Sequence, residues 1–390
     1  MTVLFDDGSS QPGVHVLIIG VGRYPYLRGG NAPKPFPHHE NMGQLDSPPV
    51  AVRALAEWFR LHAGEPTAPL RSLEILCSAP EPLSMQGFDP NGPAVAVDPA
   101  DLDHVEEAVE GWVERCERNG DNLLLFYFCG HGIASGQEQS LLLQDFGRRP
   151  QHPFKDAIAF SQLRAGLRAR KVRNQCLLID ACRGFSPTLL RRYGAEYAGS
   201  PLVAAAVTEA VRGTRSQVFR AAELGTAAYG MTGRPTLFAQ GLLAALDGSA
   251  SWQQDDGTWR VTTARLADAI NAHAAELALL DAIPTQFCDP EGVVEGIFLH
   301  ALPGEPKVPV HVRCEPDDAT ALADFACRLG DRDLDHGTCG DLPVWTTRLA
   351  PDRYDFVASF AAVEAGYRQG LVQRRSVVPP LARVSIRVLP

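Results

Sequence analysis

The residue types best suited to covalent chemistry are a histidine in Gly130-His131-Gly132 and a cysteine in Asp180-Ala-Cys182-Arg-Gly184, an interval of 51 residues. A thiol of ordinary pKa, ~8.5, is only a few per cent ionised at neutral pH, and the thiolate is the nucleophile. An imidazole within reach supplies the missing basicity and later returns a proton to a leaving amine. Glycines flanking His131 and following Arg183 let the backbone turn sharply, so that amides there can face a developing oxyanion. An isolated Gly-His-Gly is more often a satisfied histidine in a turn, and a lone cysteine a buried thiol. The case rests on their joint context.

That context is a pair of strands. Leu123–Phe128 is an apolar run leading into the histidine, and Gln175–Ile179 leads into Asp180 and Cys182. Earlier in the chain, His15–Gly22 is a nearly continuous apolar run stopped by glycine, as in a strand buried on both faces of a parallel sheet. A Pro/Gly/Asn-rich loop over 25–44, a helix over 49–61, a strand over 73–77 and a helix over 98–116 follow. After a hairpin-like segment over 141–145, a helix over 160–170 precedes the second reactive strand. Later come strand 218–222, helices 235–246 and 262–277, and a closing strand 293–300. Such alternation predicts an α/β fold, a mainly parallel sheet with helices on both faces and right-handed crossovers. Reactive residues then belong at the carboxyl ends of strands.

Near Pro303 the texture changes: Pro-Gly-Glu-Pro-Lys-Val-Pro over 303–309 reads as a linker. Segments 308–314, 342–349, 354–360 and 382–389 alternate like half-buried antiparallel strands. The expectation is a first domain over 1–303 and a small all-β sandwich over 304–390. Cys314, Cys327, His336 and Cys339 match no familiar zinc spacing and read as core residues.

A net charge of -10 argues against nucleic acid as a partner, since such binding draws on basic patches. No stretch reaches the ~20 apolar residues of a membrane helix. The first residues, MTVLFDDGSSQPGV, lack the basic and apolar regions of a secretion signal, so the expectation is a soluble cytoplasmic protein. The nine cysteines form no dense framework and read as reduced. Lysine is confined to Lys34, Lys155, Lys171 and Lys307; with abundant Ala and Pro this compositional bias suggests a bacterial source.

Over roughly residues 14–302 the chain resembles the caspase and metacaspase clan of cysteine peptidases. The caspase signature Gln-Ala-Cys-Arg/Gln/Gly-Gly, with a histidine about 50 residues upstream, is met by Asp180–Gly184 and His131 except at its first position. The resemblance implies a Cys182–His131 dyad with no obligatory acidic third member, an oxyanion held by the amides of Gly132 and Cys182, and no cofactor. Caspases place glutamine where Asp180 stands; metacaspases place aspartate there and take basic side chains. A carboxylate pairs with a guanidinium in two-pronged fashion and repels aspartate, so the expected substrate is a protein or peptide cut after arginine or lysine.

Such an enzyme carries its own candidate processing sites, Arg191, Arg192, Arg212 and Arg215, downstream of the nucleophile. Processing by itself or by an upstream protease, or an effector protein, would then convert a zymogen. Some relatives respond to calcium; Asp46 and Asp145 are the carboxylates considered for it, though surface carboxylates are ordinary. The rival reading is a catalytically silent scaffold or sensor whose sandwich recruits a partner.

Overall fold

The computed structural model describes residues 2–89, 91–136, 138–194, 199–204, 211, 213–226, 233–281, 283, 286–292, 296–361, 366–367 and 372–389. Two compact units emerge, one of residues 1–243 and 286–300, the other of 244–285 and 301–390.

The first unit opens with β1 (Thr2–Asp6), β2 (Val14–Val21), α1 (Ser47–Leu61), β3 (Leu70–Ser78) and a small hairpin of β4 (Ser84–Gln86) and β5 (Ala94–Ala96). It continues through α2 (Leu102–Cys116), β6 (Leu123–Gly130), β7 (Gly132–Ser135), β8 (Glu138–Leu142) and β9 (Ala157–Ala159). Then come α3 (Phe160–Arg168), β10 (Asn174–Ala181), α4 (Pro187–Tyr193), β11 (Arg215–Arg220) and α5 (Leu237–Ala244). Hairpin β12 (Ser251–Gln253) and β13 (Trp259–Thr262) and helix α6 (Leu266–Asp281) belong to the second unit, and the chain returns to the first with β14 (Asp289–Glu291) and β15 (Phe298–Ala301).

One seven-stranded sheet runs β1-β3-β2-β6-β10-β11-β14. The five middle strands are mutually parallel, and both edges are antiparallel. All residues of β2 and β6 are buried, the physical counterpart of their unbroken apolar runs. Leu17, Ile19, Phe126, Phe128, Leu177 and Ile179 share one core with Val105, Val109 and Trp112 of α2 and Leu163 and Leu167 of α3. The intervening residues face the other way. There α1 lies against β2 so closely that a Cβ on Gly20 would stand 2.3 Å from the Val52 side chain.

Local chemistry accounts for the helices. Helix α1 begins at prolines, whose fixed φ and missing N–H suit a first turn, and buries Val52, Leu55, Ala56 and Phe59 on one stripe. The Asp101 side chain caps α2 by accepting the His104 N–H at 3.1 Å. Helix α2 buries Val105, Ala108, Val109, Trp112 and Cys116 at helical spacing.

The edges depart from expectation. The strand expected over 293–300 does not close the large sheet. Residues 289–291 do, while Phe298–Ala301 lies outside that sheet and 293–295 lie outside the described residues. The edge strand is Asp-Pro-Glu, with no apolar alternation to mark it. Ion pairs hold it instead: Arg183 to Asp289 at 2.6 Å and Arg220 to Glu291 at 2.6 Å.

The second unit contains a two-sheet sandwich. One sheet orders β19 (Trp345–Leu349), β16 (Val308–Glu315) and β22 (Ala382–Arg387). The other orders β18 (Arg332–Gly337), β17 (Ala323–Leu329), β20 (Asp352–Phe360) and β21 (Gln373–Val377). Their inward residues, among them Val310, Val312, Phe325, Trp345, Phe356, Val384 and Ile386, form one core that includes Cys314, Cys327 and Cys339. Strands β17, β18 and β21 were not expected from the sequence; β18, Arg-Asp-Leu-Asp-His-Gly, is polar along its length. Among the described residues no helix is long and apolar enough to cross a membrane.

Candidate active site

Strands β6 and β10 pair in parallel, with Asp180 opposite Cys129 and Ala181 opposite Gly130. The next residue on each chain is His131 and Cys182, so the register delivers both to the same carboxyl edge of the sheet. Eight of the nine cysteines are buried, and Cys182 is the one partly exposed.

His131 is fixed from two sides. Its Nε2 lies 2.7 Å from the Gly43 carbonyl oxygen, which can only accept, so Nε2 carries the hydrogen. In the neutral ring Nδ1 is then the proton acceptor. Burial lowers the imidazole pKa and the Gly43 bond partly offsets this, which keeps the ring a base near neutrality. The Tyr24 hydroxyl accepts the His131 backbone N–H at 2.8 Å and donates to the Leu142 carbonyl at 3.3 Å. The phenol thus stands in for one rung between His131 and Leu142, whose other rung, Leu142 N–H to His131 O at 2.9 Å, is intact. The Tyr24 ring also packs against the imidazole, centroids 4.8 Å apart. Burial pushes the Tyr24 pKa up, with Cys129 and Cys182 close enough to add to the effect.

The loop that presents Gly43 is clamped by one side chain. Gln44 accepts the Tyr24 N–H at 2.8 Å and donates to the Tyr24 and Arg28 carbonyls at 2.9 and 3.0 Å. Leu45 N–H to Gly22 O, 2.8 Å, closes the loop at its base.

Cys182 sits in a tight channel of backbone. A Cβ on Gly132 would stand 2.5 Å from the Cys182 carbonyl oxygen, so only glycine permits this approach. Gln139 Nε2 donates to that oxygen at 3.1 Å. The Ala134 N–H donates to Gly184 O at 3.0 Å, and strand alternation turns the Gly132 N–H, two residues earlier, to the same side. On the far side the loop is held by Arg183 N–H to Thr226 O at 3.1 Å and Gly225 N–H to Arg183 O at 2.9 Å.

Asp180, two residues before the thiol, is 2% exposed. Its Oδ2 accepts from the Tyr127 hydroxyl at 2.7 Å and from the Thr236 hydroxyl, while Oδ1 has no hydrogen-bond partner among the described residues. Burial raises its pKa from 3.8 to about 6, against the lowering by Thr236, Tyr127 and the Cys129 thiol. Cys129 itself is a buried packing thiol on this face, its pKa pushed far up by burial.

Other residues singled out by the sequence lie elsewhere. Arg191 and Arg192 are exposed on α4. Arg215 opens β11 and its guanidinium holds Asn174 Oδ1, and Arg212 lies outside the described residues. Asp145 pairs with Arg148 at 2.9 Å, and Asp46 precedes α1 without capping it. No group of three or more His, Cys, Asp or Glu able to hold a metal occurs among the described residues. Tyr24, Gly43, Gln44, Tyr127 and Thr236 escaped sequence reasoning. The rule that placed His131 and Cys182, reactive groups just beyond strand ends, also fits Tyr24, three residues past β2.

A covered parallel sheet with an imidazole and a partly exposed thiol on adjacent strand ends defines the molecule's class. A model of the caspase domain matches residues 14–276, two thirds of the chain, and the chain belongs to that family, whose members are cysteine peptidases. It is 28% identical over 250 residues to the uncharacterized protein y4kE of Sinorhizobium fredii, covering 63% of this chain and 66% of that one. The chain thus spans just under two thirds of that relative's length. Among solved structures it is similar to protein GSU0716 of Geobacter sulfurreducens, with 12% identity, coverage of 74% and 97%, and a TM-score of 0.42. Caspase-1 of Spodoptera frugiperda gives 10% identity, coverage of 73% and 88%, and a TM-score of 0.38.

Proposed function

We propose that this chain is a cysteine endopeptidase that cleaves proteins or peptides after arginine, and less readily lysine, through Cys182 and His131. The observation that carries the reading is the His131 ring: its Nε2–H is held by Gly43 O, leaving Nδ1 as the base, on the strand end next to the one that carries the partly exposed thiol. Proton transfer from Cys182 to Nδ1 gives the thiolate, which attacks the scissile carbonyl carbon. The oxyanion is met by the amides of Gly132 and Cys182, the amine leaves with the proton from His131, and water hydrolyses the thioester. Thiol and imidazole suffice for these steps, so the reading calls for no cofactor.

Asp180 supplies the specificity. A substrate guanidinium is long enough to reach a carboxylate set below the nucleophile, and Oδ1 has acceptor capacity left for its N–H groups. Lysine offers a single point charge and fits less well. Among the described arginines considered for self-processing, the pair Arg191-Arg192 is exposed and Arg215 only partly so, and a cut at the pair requires α4 to unwind.

The test uses fluorogenic peptides ending in arginine, lysine or aspartate at the scissile position, with wild type and Cys182→Ala. Arginine turnover lost in the variant supports the reading. Aspartate turnover would overturn the specificity, and no turnover, even after limited trypsin cleavage between residues 191 and 215, would favour a silent scaffold.

A further inference from the structure

We propose that the second unit carries a binding site for a small anionic molecule, a carboxylate or phosphate attached to an apolar body, held by His311, Arg313 and Arg383. A cavity of about 640 Å³ lies between α6 and the outward face of β16 and β22. Its volume falls in the ~300–1,000 Å³ range of small-molecule sites.

Strand alternation explains its polar wall. Val310, Val312 and Cys314 point into the sandwich core, which turns His311 and Arg313 outward; Val384 and Ile386 do the same for Arg383 and Ser385. The parallel register sets His311 opposite Arg383 and Arg313 opposite Ser385, so one imidazole and two guanidiniums share a patch two strands wide. Arg383 is exposed and has no carboxylate partner among the described residues. Arg313 meets Asp317 only at 3.5 Å, with side chains 50% and 77% exposed, a contact that an incoming anion displaces at little cost.

The second, independent observation is His311. It lines the cavity at 4% exposure, its Nε2 lies 3.2 Å from Glu276 Oε1, and its buried Nδ1 has no hydrogen-bond partner among the described residues. Buried polar atoms in native proteins are nearly always satisfied, so this nitrogen points to a partner from outside the chain. On α6, His273 also faces Glu276 at 3.5 Å. Burial pushes the Glu276 carboxyl up, but the bonds from His273 and His311 outweigh it and hold it at about 2, so the carboxylate stays charged and engaged with the two rings. With its Nε2 turned to Glu276, the His311 ring leaves Nδ1 to meet a ligand held by the two guanidiniums. Leu279 and Leu342, 42% and 39% exposed, line the same cavity and fit an apolar body. A nucleic acid is a poor candidate for a chain of charge -10.

Calorimetric titration of the full chain with inorganic phosphate and, separately, with hexanoate tests this. Saturable binding of either probe is expected; the probe that binds identifies the anion class. Arg383→Gln should weaken binding about tenfold or more and Arg383→Lys recover part of it. His311→Asn should weaken binding several-fold, because it removes the buried ring nitrogen that lines the cavity. Arg332→Gln, on exposed β18 in the other sheet, should bind like wild type, and an unchanged thermal midpoint certifies that each variant is folded. No saturation with either probe, or equal losses in Arg383→Gln and Arg332→Gln, overturns the proposal.

Discussion

Replacing Asp180 by asparagine should make the protein more stable and less active at the same time. The carboxyl is 2% exposed and its pKa rises from 3.8 to about 6, so the fold disfavours the ionised form by about 3 kcal/mol. Because the folded-state value is raised, the favourable contribution belongs to the protonated form and is lost as pH climbs through about 6. At roughly pH 8 the wild type therefore holds a buried charge that Asp180→Asn lacks, while the amide still accepts from Tyr127 and Thr236 through its oxygen. The variant should gain up to about 3 kcal/mol there, a rise in Tm on the order of 5 °C or more, and almost nothing near pH 4. Activity moves the other way. Removing one partner of a buried ion pair costs about 3–5 kcal/mol, so kcat/KM for an arginyl peptide should fall by about 10²–10⁴. Paired calorimetric scans at the two pH values and peptide kinetics decide it. A variant less stable than wild type at pH 8, or one that cleaves after arginine within a few-fold of wild type, refutes the assignment.

Wild-type kcat/KM for arginyl peptides should also decline below about pH 6 as Asp180 takes up a proton, which a pH series resolves. Tyr24→Phe keeps the ring against the imidazole but strips partners from His131 N–H and Leu142 O; stability should drop by about 2 kcal/mol in denaturant melts, and kcat should fall with KM little changed. Gly132→Ala places a methyl 2.5 Å from Cys182 O and should abolish turnover and slow iodoacetamide labelling of the thiol. Trp112→Ala, which empties a fully buried site and cuts the 3.1 Å bond to His15 O, should cost about 3–5 kcal/mol.

What the chain reveals on inspection follows from what is encoded locally. The runs of β2, β6 and β10 are buried on both faces, so their apolar character is continuous and their ends are sharp. His131 and Cys182 are legible because they sit just past those ends. The partners of His131 are not legible, since Gly43 acts through a backbone carbonyl whose position depends on the whole 22–45 loop and not on residue type. Thr236 reaches Asp180 across 56 positions of chain, beyond any local pattern. Edge strands hide for another reason: β14 and β18 bury little, are held by ion pairs or neighbouring backbone, and so carry polar sequences.

The last strand of the large sheet has a consequence for synthesis. Residues 289–291 complete a layer whose other members all precede residue 221, with some 68 residues belonging mostly to the other unit made in between. At a ribosomal rate of about 5–20 residues per second, the nascent sheet waits several seconds with its β11 edge open. During that interval Arg183 and Arg220 have no acidic strand to meet, and an exposed row of backbone donors and acceptors invites pairing with another chain. Truncations that stop before residue 289 would make that temporary condition permanent.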